Sequence, residues 1–118
     1  MAKRILLVED DKSFREVLAK LATRYGYHVT AVTNGVDLLS VAAVEKFDVV
    51  ITDLMMANMD GASAAKIMKL QGNTTPVIAI TGVSAEDIHS VKESFTKIFQ
   101  KPVNVSELFE YVESLVGK

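Results

Sequence analysis

The chain has 118 residues, a length that fits one compact domain, and we expect a single domain over residues 1–118. It contains no cysteine, which excludes disulfides and cysteine-ligated metals, and its formal net charge of -2 with scattered Lys and Arg residues argues against nucleic-acid binding. No segment has the length of a membrane span, and the first apolar run is too short for a signal peptide, so we expect a cytoplasmic protein.

Five short runs rich in β-branched residues recur along the chain and predict β-strands. They comprise residues 4–8 (RILLV), 28–32 (HVTAV), 49–52 (VVIT), 77–81 (VIAIT) and 98–100 (IFQ). The runs are almost continuously apolar, which is typical of strands that are buried on both faces of a parallel sheet.

Apolar residues at helical spacing fill the first two intervals between these runs. The first interval carries a stripe at i, i+3, i+4, i+7 spacing: Phe14, Val17, Leu18, Leu21 and Ala22. Gly26 is well placed to end this helix. The interval at 35–45 carries a similar stripe: Val36, Leu39, Ala43 and Val44.

Three further helices are predicted in the remaining intervals. They cover residues 61–70, residues 85–95, and a last segment that begins at Asn104. Asn104 with Glu107 three residues later reads as a capping pair. Strand and helix therefore alternate five times, which predicts an α/β fold with a doubly wound parallel sheet covered on both faces.

In such a sheet, ligands bind outside the carboxyl ends of the strands. Charged or hydroxyl residues stand at four of these ends: Glu9, Asp10 and Asp11, then Asp53, then Thr81, then Lys101. Each residue alone has a simpler explanation, such as helix capping by an acid or a turn beginning at the threonine. Together, however, they bring several carboxylates close to one another, and the repulsion would raise their pKa values unless a cation intervenes.

The chemistry of these residues suits a metal-assisted reaction. Carboxylate ligands without Cys or paired His favour a hard cation, and we expect Mg²⁺ because it takes one or two carboxylates and leaves room for phosphate oxygens. Lys101 would add a fixed positive charge and Thr81 a hydroxyl donor. Such a set suits phosphoryl transfer, with Asp53 as the nucleophile.

Four motifs, in this order and spacing, make the chain resemble the receiver domain of bacterial two-component response regulators over almost its whole length. They are LLVEDD at 6–11, VVITDLMMANMDG at 49–61, VIAITG at 77–82 and QKP at 100–102. The resemblance is to single-domain, chemotaxis-type members. It implies a three-layer, flavodoxin-like sandwich whose five-stranded parallel sheet has the order 2-1-3-4-5, with five helices.

The resemblance also implies a role for each matching residue. Asp53 matches the phosphoacceptor, Thr81 the switch hydroxyl, and Lys101 the lysine that pairs with the phosphoryl oxygens. The expected Mg²⁺ ligands are three carboxylates and one backbone carbonyl: Asp10, Asp11, Asp53 and the carbonyl of Met55. The bond between Lys101 and Pro102 is expected to be cis.

The chain departs from the family pattern in three places: at Ala57, at Ile98, and in the stretch between Thr81 and Lys101, which is shorter than usual. Ala57 stands where most relatives have proline, which predicts a less rigid loop after Asp53. Ile98 stands at the position of the switch aromatic residue, and the adjacent Phe99 should point to the opposite face of the sheet. We therefore predict that no aromatic side chain reorients at Ile98 on activation.

The resemblance implies that a sensor histidine kinase or a histidine phosphotransfer protein phosphorylates Asp53. The modification would switch the face formed by the fourth helix, fifth strand and fifth helix, which a separate downstream protein would bind. The protein would catalyse only its own phosphorylation and dephosphorylation, without nucleic-acid contact or membrane insertion, as a monomer or weak dimer. Two alternatives stay open: a non-phosphorylated binding module of the same fold, and a receiver excised from a larger regulator or hybrid histidine kinase.

Overall fold

The computed structural model describes residues 2–54, 59–82 and 91–117. Within these residues, five parallel strands form one sheet in the order β2-β1-β3-β4-β5, which confirms the expected topology. The strands are β1 (Arg4–Val8), β2 (His28–Val32), β3 (Val49–Asp53), β4 (Val77–Thr81) and β5 (Lys97–Gln100). Three have the predicted bounds, whereas β3 also includes Asp53 and β5 begins one residue earlier, at Lys97.

The described part of the chain contains four α-helices and one 3₁₀ turn. They are α1 (Lys12–Arg24), α2 (Gly35–Val44), α3 (Gly61–Leu70), α4 (Val105–Val116) and the 3₁₀ turn at Lys92–Ser94. The helix α4 is the fifth helix of the sequence prediction, because most of the predicted fourth helix at 85–95 lies outside the described residues. None of the described helices is long and apolar enough to cross a membrane.

Each of these α-helices begins at an Asp or Asn side chain that accepts a backbone N–H from three residues further on. The caps are Asp11, Asn34, Asp60 and Asn104. They satisfy donors that a helix N-terminus leaves unpaired. The cap at Asn104 confirms the predicted start of the last helix, and Gly26, with a φ of 96°, follows the end of α1 as predicted.

Side chains of the sheet alternate between two cores. On β1, Leu6 and Val8 pack toward α2 and α3, whereas Ile5 and Leu7 pack toward α1 and α4. Helices therefore cover both faces, which confirms the three-layer α/β sandwich. Because all strands are parallel, their carboxyl ends share one edge of the sheet.

The buried face of α2 differs from the predicted stripe. Val36 and Val44 are exposed, the latter to 80%, whereas Leu38 is completely buried. Leu38, with Val41 and Ala42, packs against the core on this side of the sheet. Leu39 packs against the same core as predicted, whereas the prediction was wrong for the exposed Val36, Ala43 and Val44. Almost every residue of GVDLLSVAAV is apolar, so spacing alone could not select the inward face.

The stripe on α1 is correct except for one residue. Leu18 and Ala22 are buried, and Phe14 and Leu21 pack against the same core. Val17 is 55% exposed and lies outside the packed face.

Candidate functional site

Asp53 is the last residue of β3, the central strand of the sheet, and is only 8% exposed. Its strand lies between β1 and β4, so the carboxyl ends of both neighbours flank the carboxylate. The hydroxyl of Thr52 donates to the Asp53 carbonyl oxygen at 2.9 Å, which holds the backbone at the strand end. A buried carboxylate at this position requires polar or cationic partners.

Lys101 supplies the positive charge beside Asp53. Its Nζ donates to Asp53 Oδ2 at 2.8 Å and to Glu9 Oε1 at 3.2 Å. Burial lowers the pKa of the ammonium, but hydrogen bonding and charge from Asp53 and Glu9 outweigh burial and raise the pKa of Lys101 overall. The bond between Lys101 and Pro102 is cis, as expected.

Glu9 shares the same lysine, although no sequence signal favours it over the two acids that follow. It is 2% exposed. Burial, and next the charge of Asp53, raise the pKa of Glu9 from 4.5 to about 7, against the opposing effects of the Asp11 N–H and Lys101. The single ammonium of Lys101 therefore does not neutralise two buried carboxylates. The remaining repulsion between Glu9 and Asp53 is of the kind that the sequence predicts.

Three carboxylates form an acidic group at this edge: Glu9, Asp10 and Asp53. One oxygen from each lies within 4.8 Å of the others. Oxygen ligands at such separations suit a hard cation, and Mg²⁺ in particular. The structure thus brings together two of the predicted metal ligands, Asp10 and Asp53, and adds Glu9.

Asp11 was also predicted to bind the metal, and the structure places it elsewhere. Its Oδ1 accepts the backbone N–H of Phe14 at 3.2 Å, so this exposed carboxylate caps α1 and lies outside the acidic group. A helix that begins at Lys12 needs a cap on the preceding residue. Its position is the sequence signal that could have identified Asp11 as the cap. It is the last of three consecutive acids and directly precedes the helix.

Comparison with known proteins identifies the family. A family model for the response regulator receiver domain matches residues 5–113. The chain belongs to this receiver family. Receiver domains of this family are modules of two-component signalling.

Individual relatives differ in how much of their length this receiver covers. The response regulator receiver protein CpdR of Brucella abortus is 31% identical over 116 residues, which are 97% of this chain and 97% of that protein. The transcription factor SKN7 of Candida albicans is 34% identical over 108 residues, which are 89% of this chain, and the chain spans 19% of the length of that protein.

A solved structure supports the same fold. The response regulator protein TrrA of Thermotoga maritima, in complex with Mg²⁺ and BeF, has a TM-score of 0.88 and 27% identity to this receiver. The match covers 96% of this chain and 98% of that chain.

Thr81 lies at the same edge of the receiver. It ends β4 and is fully buried, and its carbonyl oxygen accepts the Lys101 backbone N–H at 2.7 Å. The register pairs Asp53 with Ile80, so Thr81 stands one residue further along the neighbouring strand. Three residues that are far apart in sequence, Asp53, Thr81 and Lys101, thus meet at one edge.

The loop after Asp53 is held closely at its described ends. The Gly61 N–H donates to the Leu54 carbonyl at 2.9 Å, and a Cβ on Gly61 would collide with the Asp53 carbonyl oxygen. A Cβ on Gly35, at the start of α2, would lie 2.6 Å from the Met59 carbonyl oxygen. Both glycines therefore allow backbone approaches that a larger residue would prevent.

Two predictions about the middle of this loop fall on residues outside the described ranges. They are the Met55 carbonyl as a metal ligand and a less rigid loop at Ala57. Both stay predictions.

Ile98 and Phe99 face opposite sides of the receiver sheet, as predicted. Ile98 packs with the core on the side of α2 and α3, and Phe99 with the core on the side of α1 and α4. The Phe99 ring meets Tyr111 edge-on at 5.9 Å, and Lys97 Nζ lies 5.9 Å from the Phe99 centroid. Phe99 therefore has a partner of its own on α4, Tyr111.

Proposed function

We propose that this receiver accepts a phosphoryl group on Asp53 and thereby switches a protein-binding surface in a two-component or phosphorelay pathway. The observation that carries the proposal is the double contact of Lys101, at 2.8 Å from Asp53 and 3.2 Å from Glu9. It places a fixed positive charge beside a buried carboxylate at the edge where parallel sheets bind ligands.

The proposed reaction is transfer from a phosphohistidine of a sensor histidine kinase or a histidine phosphotransfer protein. A carboxylate oxygen of Asp53 attacks phosphorus, the new O–P bond forms, the N–P bond breaks, and its electron pair returns to the imidazole. The product is an acyl phosphate on Asp53. Lys101 and Thr81 would donate hydrogen bonds to the phosphoryl oxygens, where negative charge must be neutralised.

The residues that would hold Mg²⁺ are Glu9, Asp10 and Asp53, with the Met55 carbonyl as a further proposed ligand. The donor set fits the ion, because three carboxylate oxygens lie within 4.8 Å of one another. Bound Mg²⁺ supplies positive charge that neutralises both the acidic group and the phosphoryl oxygens. The complex of TrrA with Mg²⁺ and BeF supports this part of the proposal.

The output surface would include β5, α4 and the predicted fourth helix, and a separate effector protein would bind it. The similarity to CpdR over 97% of both chains supports a receiver that can act through a separate partner. The same proposal includes a cytoplasmic location and a monomer or weak dimer.

Incubation with acetyl phosphate, with and without Mg²⁺, followed by intact mass measurement, tests the proposal. Wild type should gain one phosphoryl group in a Mg²⁺-dependent reaction, and Asp53→Asn should gain none. Asp60→Asn is the matched control, because Asp60 Oδ1 caps α3 by accepting the Ser63 N–H at 2.7 Å and Asn caps equally well. Unlabelled wild type would favour the non-phosphorylated binding module, and equal labelling of Asp53→Asn would place the acceptor elsewhere.

A further inference from the structure

Phe14, on the first turn of α1, lies against the lysine of the site. The Nζ of Lys101 is 4.8 Å from the centroid of the Phe14 ring. A cation at such a distance is attracted by the negative face of the ring, and the attraction is stronger where water is partly excluded. The Lys101 side chain is 32% exposed and Phe14 is half-buried, so this pair is partly shielded from solvent.

The ring differs in kind from the carboxylate partners of Lys101. Asp53 loses its carboxylate when it becomes an acyl phosphate, and Glu9 belongs to the group proposed to hold Mg²⁺. Both contacts therefore change during the proposed reaction. Phe14 itself contributes no titratable or metal-binding atom to its contact with Lys101, so changes at the acids leave the ring chemically unaltered.

Backbone contacts hold Phe14 in place beside the acidic edge. Its N–H donates to Asp11 Oδ1 at 3.2 Å, and the next backbone N–H, of Arg15, donates to the Asp11 carbonyl at 2.9 Å. The Arg15 Nη1 also donates to the Glu9 carbonyl oxygen at 2.9 Å. The first turn of α1 is thus tied to the end of β1, which places the backbone of Phe14 beside the carboxylates.

We propose that Phe14 is a positioning residue for the phosphorylation reaction. Its ring keeps the Lys101 ammonium at the carboxyl edge while Asp53 exchanges a carboxylate for an acyl phosphate. The inference rests on the proposed function, and Phe14 acts through Lys101 rather than on the phosphoryl group.

The first test measures the rate of labelling by acetyl phosphate and Mg²⁺. Phe14→Leu keeps an apolar side chain and a good helix former but removes the ring, and it should slow labelling about fivefold. Phe14→Tyr keeps the ring and should restore most of the rate. Val17→Ala is the control, because Val17 lies on the same helix, is 55% exposed and should leave the rate unchanged.

The small donor separates positioning from docking. A Phe14 side chain that only docked a protein phosphodonor would slow transfer from a histidine phosphotransfer protein and leave labelling by acetyl phosphate unchanged. That result would overturn the proposal. A loss with both donors, rescued by tyrosine, would support it.

A double-mutant cycle tests whether the effect passes through Lys101. In a Lys101→Ala background, Phe14→Leu should cause no further slowing, because the partner of the ring is already absent. An equal fivefold loss in both backgrounds would assign Phe14 a role independent of the lysine and overturn the proposal.

A spectroscopic measurement keeps the inference independent of phosphorylation. In ¹³C-labelled protein, the ring current of Phe14 should shift the ε-methylene protons of Lys101 upfield, with the shift lost in Phe14→Leu and kept in Phe14→Tyr. An unchanged Lys101 resonance in folded Phe14→Leu would refute the contact. Failure of the proposed function would appear instead as wild-type protein that takes up no phosphoryl group.

Discussion

At the amino-terminal edge of the sheet, Arg4 has partners that, within the described residues, it does not share with a second carboxylate side chain in an ion pair. The Nη2 of Arg4 pairs with Glu45 Oε1 at 2.5 Å, and its guanidinium carbon lies 4.8 Å from the Phe47 ring centroid. At the carboxyl-terminal edge, one ammonium, that of Lys101, is shared by two buried carboxylates. The Arg4–Glu45 pair is balanced and partly exposed to solvent, whereas the carboxyl-terminal edge has an excess of buried negative charge.

The difference indicates which edge is built for chemistry. The side chains of Arg4 and Glu45 are 34% and 45% exposed, so water screens their attraction and we expect it to contribute no more than about 1 kcal/mol. At the other edge, the raised pKa of Glu9 shows that the folded protein holds a carboxylate in a place that disfavours its charge. Such an arrangement costs stability unless a ligand compensates it, which is typical of functional sites.

The largest expected effect comes from removing the cation at the carboxyl-terminal edge, and the matching substitution at the other edge is the comparison. Lys101→Ala should slow labelling by acetyl phosphate about 100-fold or more, because it removes the charge placed to stabilise the phosphoryl oxygens. Arg4→Ala should change the rate less than about twofold, since Arg4 pairs with Glu45 at the opposite edge. Intact mass measurement over time gives both rates.

Circular dichroism is the control for this pair. Lys101→Ala should remain folded, because Glu9 can take up a proton when its ammonium partner is lost. An unfolded Lys101→Ala, or an equal loss of rate in Arg4→Ala, would contradict the distinction between the edges.

The second effect is a pH dependence of stability in Mg²⁺-free buffer. The folded-state pKa of Glu9 is raised from 4.5 to about 7, so the folded state binds the proton more tightly than the unfolded chain does. This stabilisation is complete below pH 4.5 and is lost as the pH rises through about 7. The loss should amount to roughly 3 kcal/mol at most.

Glu9→Gln isolates this effect, because glutamine stays neutral at every pH. Urea unfolding should give similar free energies for the variant and wild type near pH 5, and a more stable variant at pH 8. Adding Mg²⁺ at pH 8 should narrow the gap by stabilising wild type. Parallel curves for Glu9→Gln and wild type would refute the assignment.

The third effect distinguishes the acids that follow β1. Asp10→Asn should weaken Mg²⁺ binding at least about tenfold, because Asp10 belongs to the acidic group. Asp11→Asn should leave Mg²⁺ binding almost unchanged, since asparagine replaces aspartate as the cap of α1 at little cost. An NMR titration with Mg²⁺ measures both affinities, and weaker binding by Asp11→Asn than by Asp10→Asn would restore Asp11 as the ligand.

This pair also shows how far the sequence could predict the site. Parallel strands bring Asp53, Thr81 and Lys101 to one edge whatever the details of packing, so strand ends alone located them. Which two of Glu9, Asp10 and Asp11 belong to the acidic group depended on the residue at which β1 ends and the residue that caps α1. Those are positions within a single turn, and composition carries little information about them.

The fold was predictable for a similar reason, and its prediction failed in a similar way. β-branched runs gave strand bounds to within one residue, because each run is bordered by polar or turn residues. The face of α2 was not predictable, since Val36, Leu38 and Val44 have the same chemistry and only contact with the sheet decides that Leu38 is buried. Patterning fails where polar and apolar residues do not alternate.

The smallest expected effect concerns Phe99. Like Arg4, it lies outside the acidic group and has contacts of its own. Its ring contacts Tyr111 edge-on at 5.9 Å, on the sheet face opposite Ile98. Phe99→Leu should therefore cost about 1 kcal/mol of stability through the lost aromatic pair. The rate of labelling by acetyl phosphate should change less than about twofold.

The same residue tests whether switching occurs without an aromatic rotamer. Structures determined with and without beryllofluoride should show Phe99 in contact with Tyr111 in both states, because Ile98 occupies the position from which an aromatic ring would reorient. A Phe99 ring that leaves Tyr111 and crosses to the Ile98 side in the beryllofluoride complex would contradict this. If Phe99 keeps its contact with Tyr111 in both states, we expect the backbone of β5 and its flanking helices to transmit the signal. Lys101 directly follows β5 and pairs with Asp53, so it joins this strand to the acidic edge.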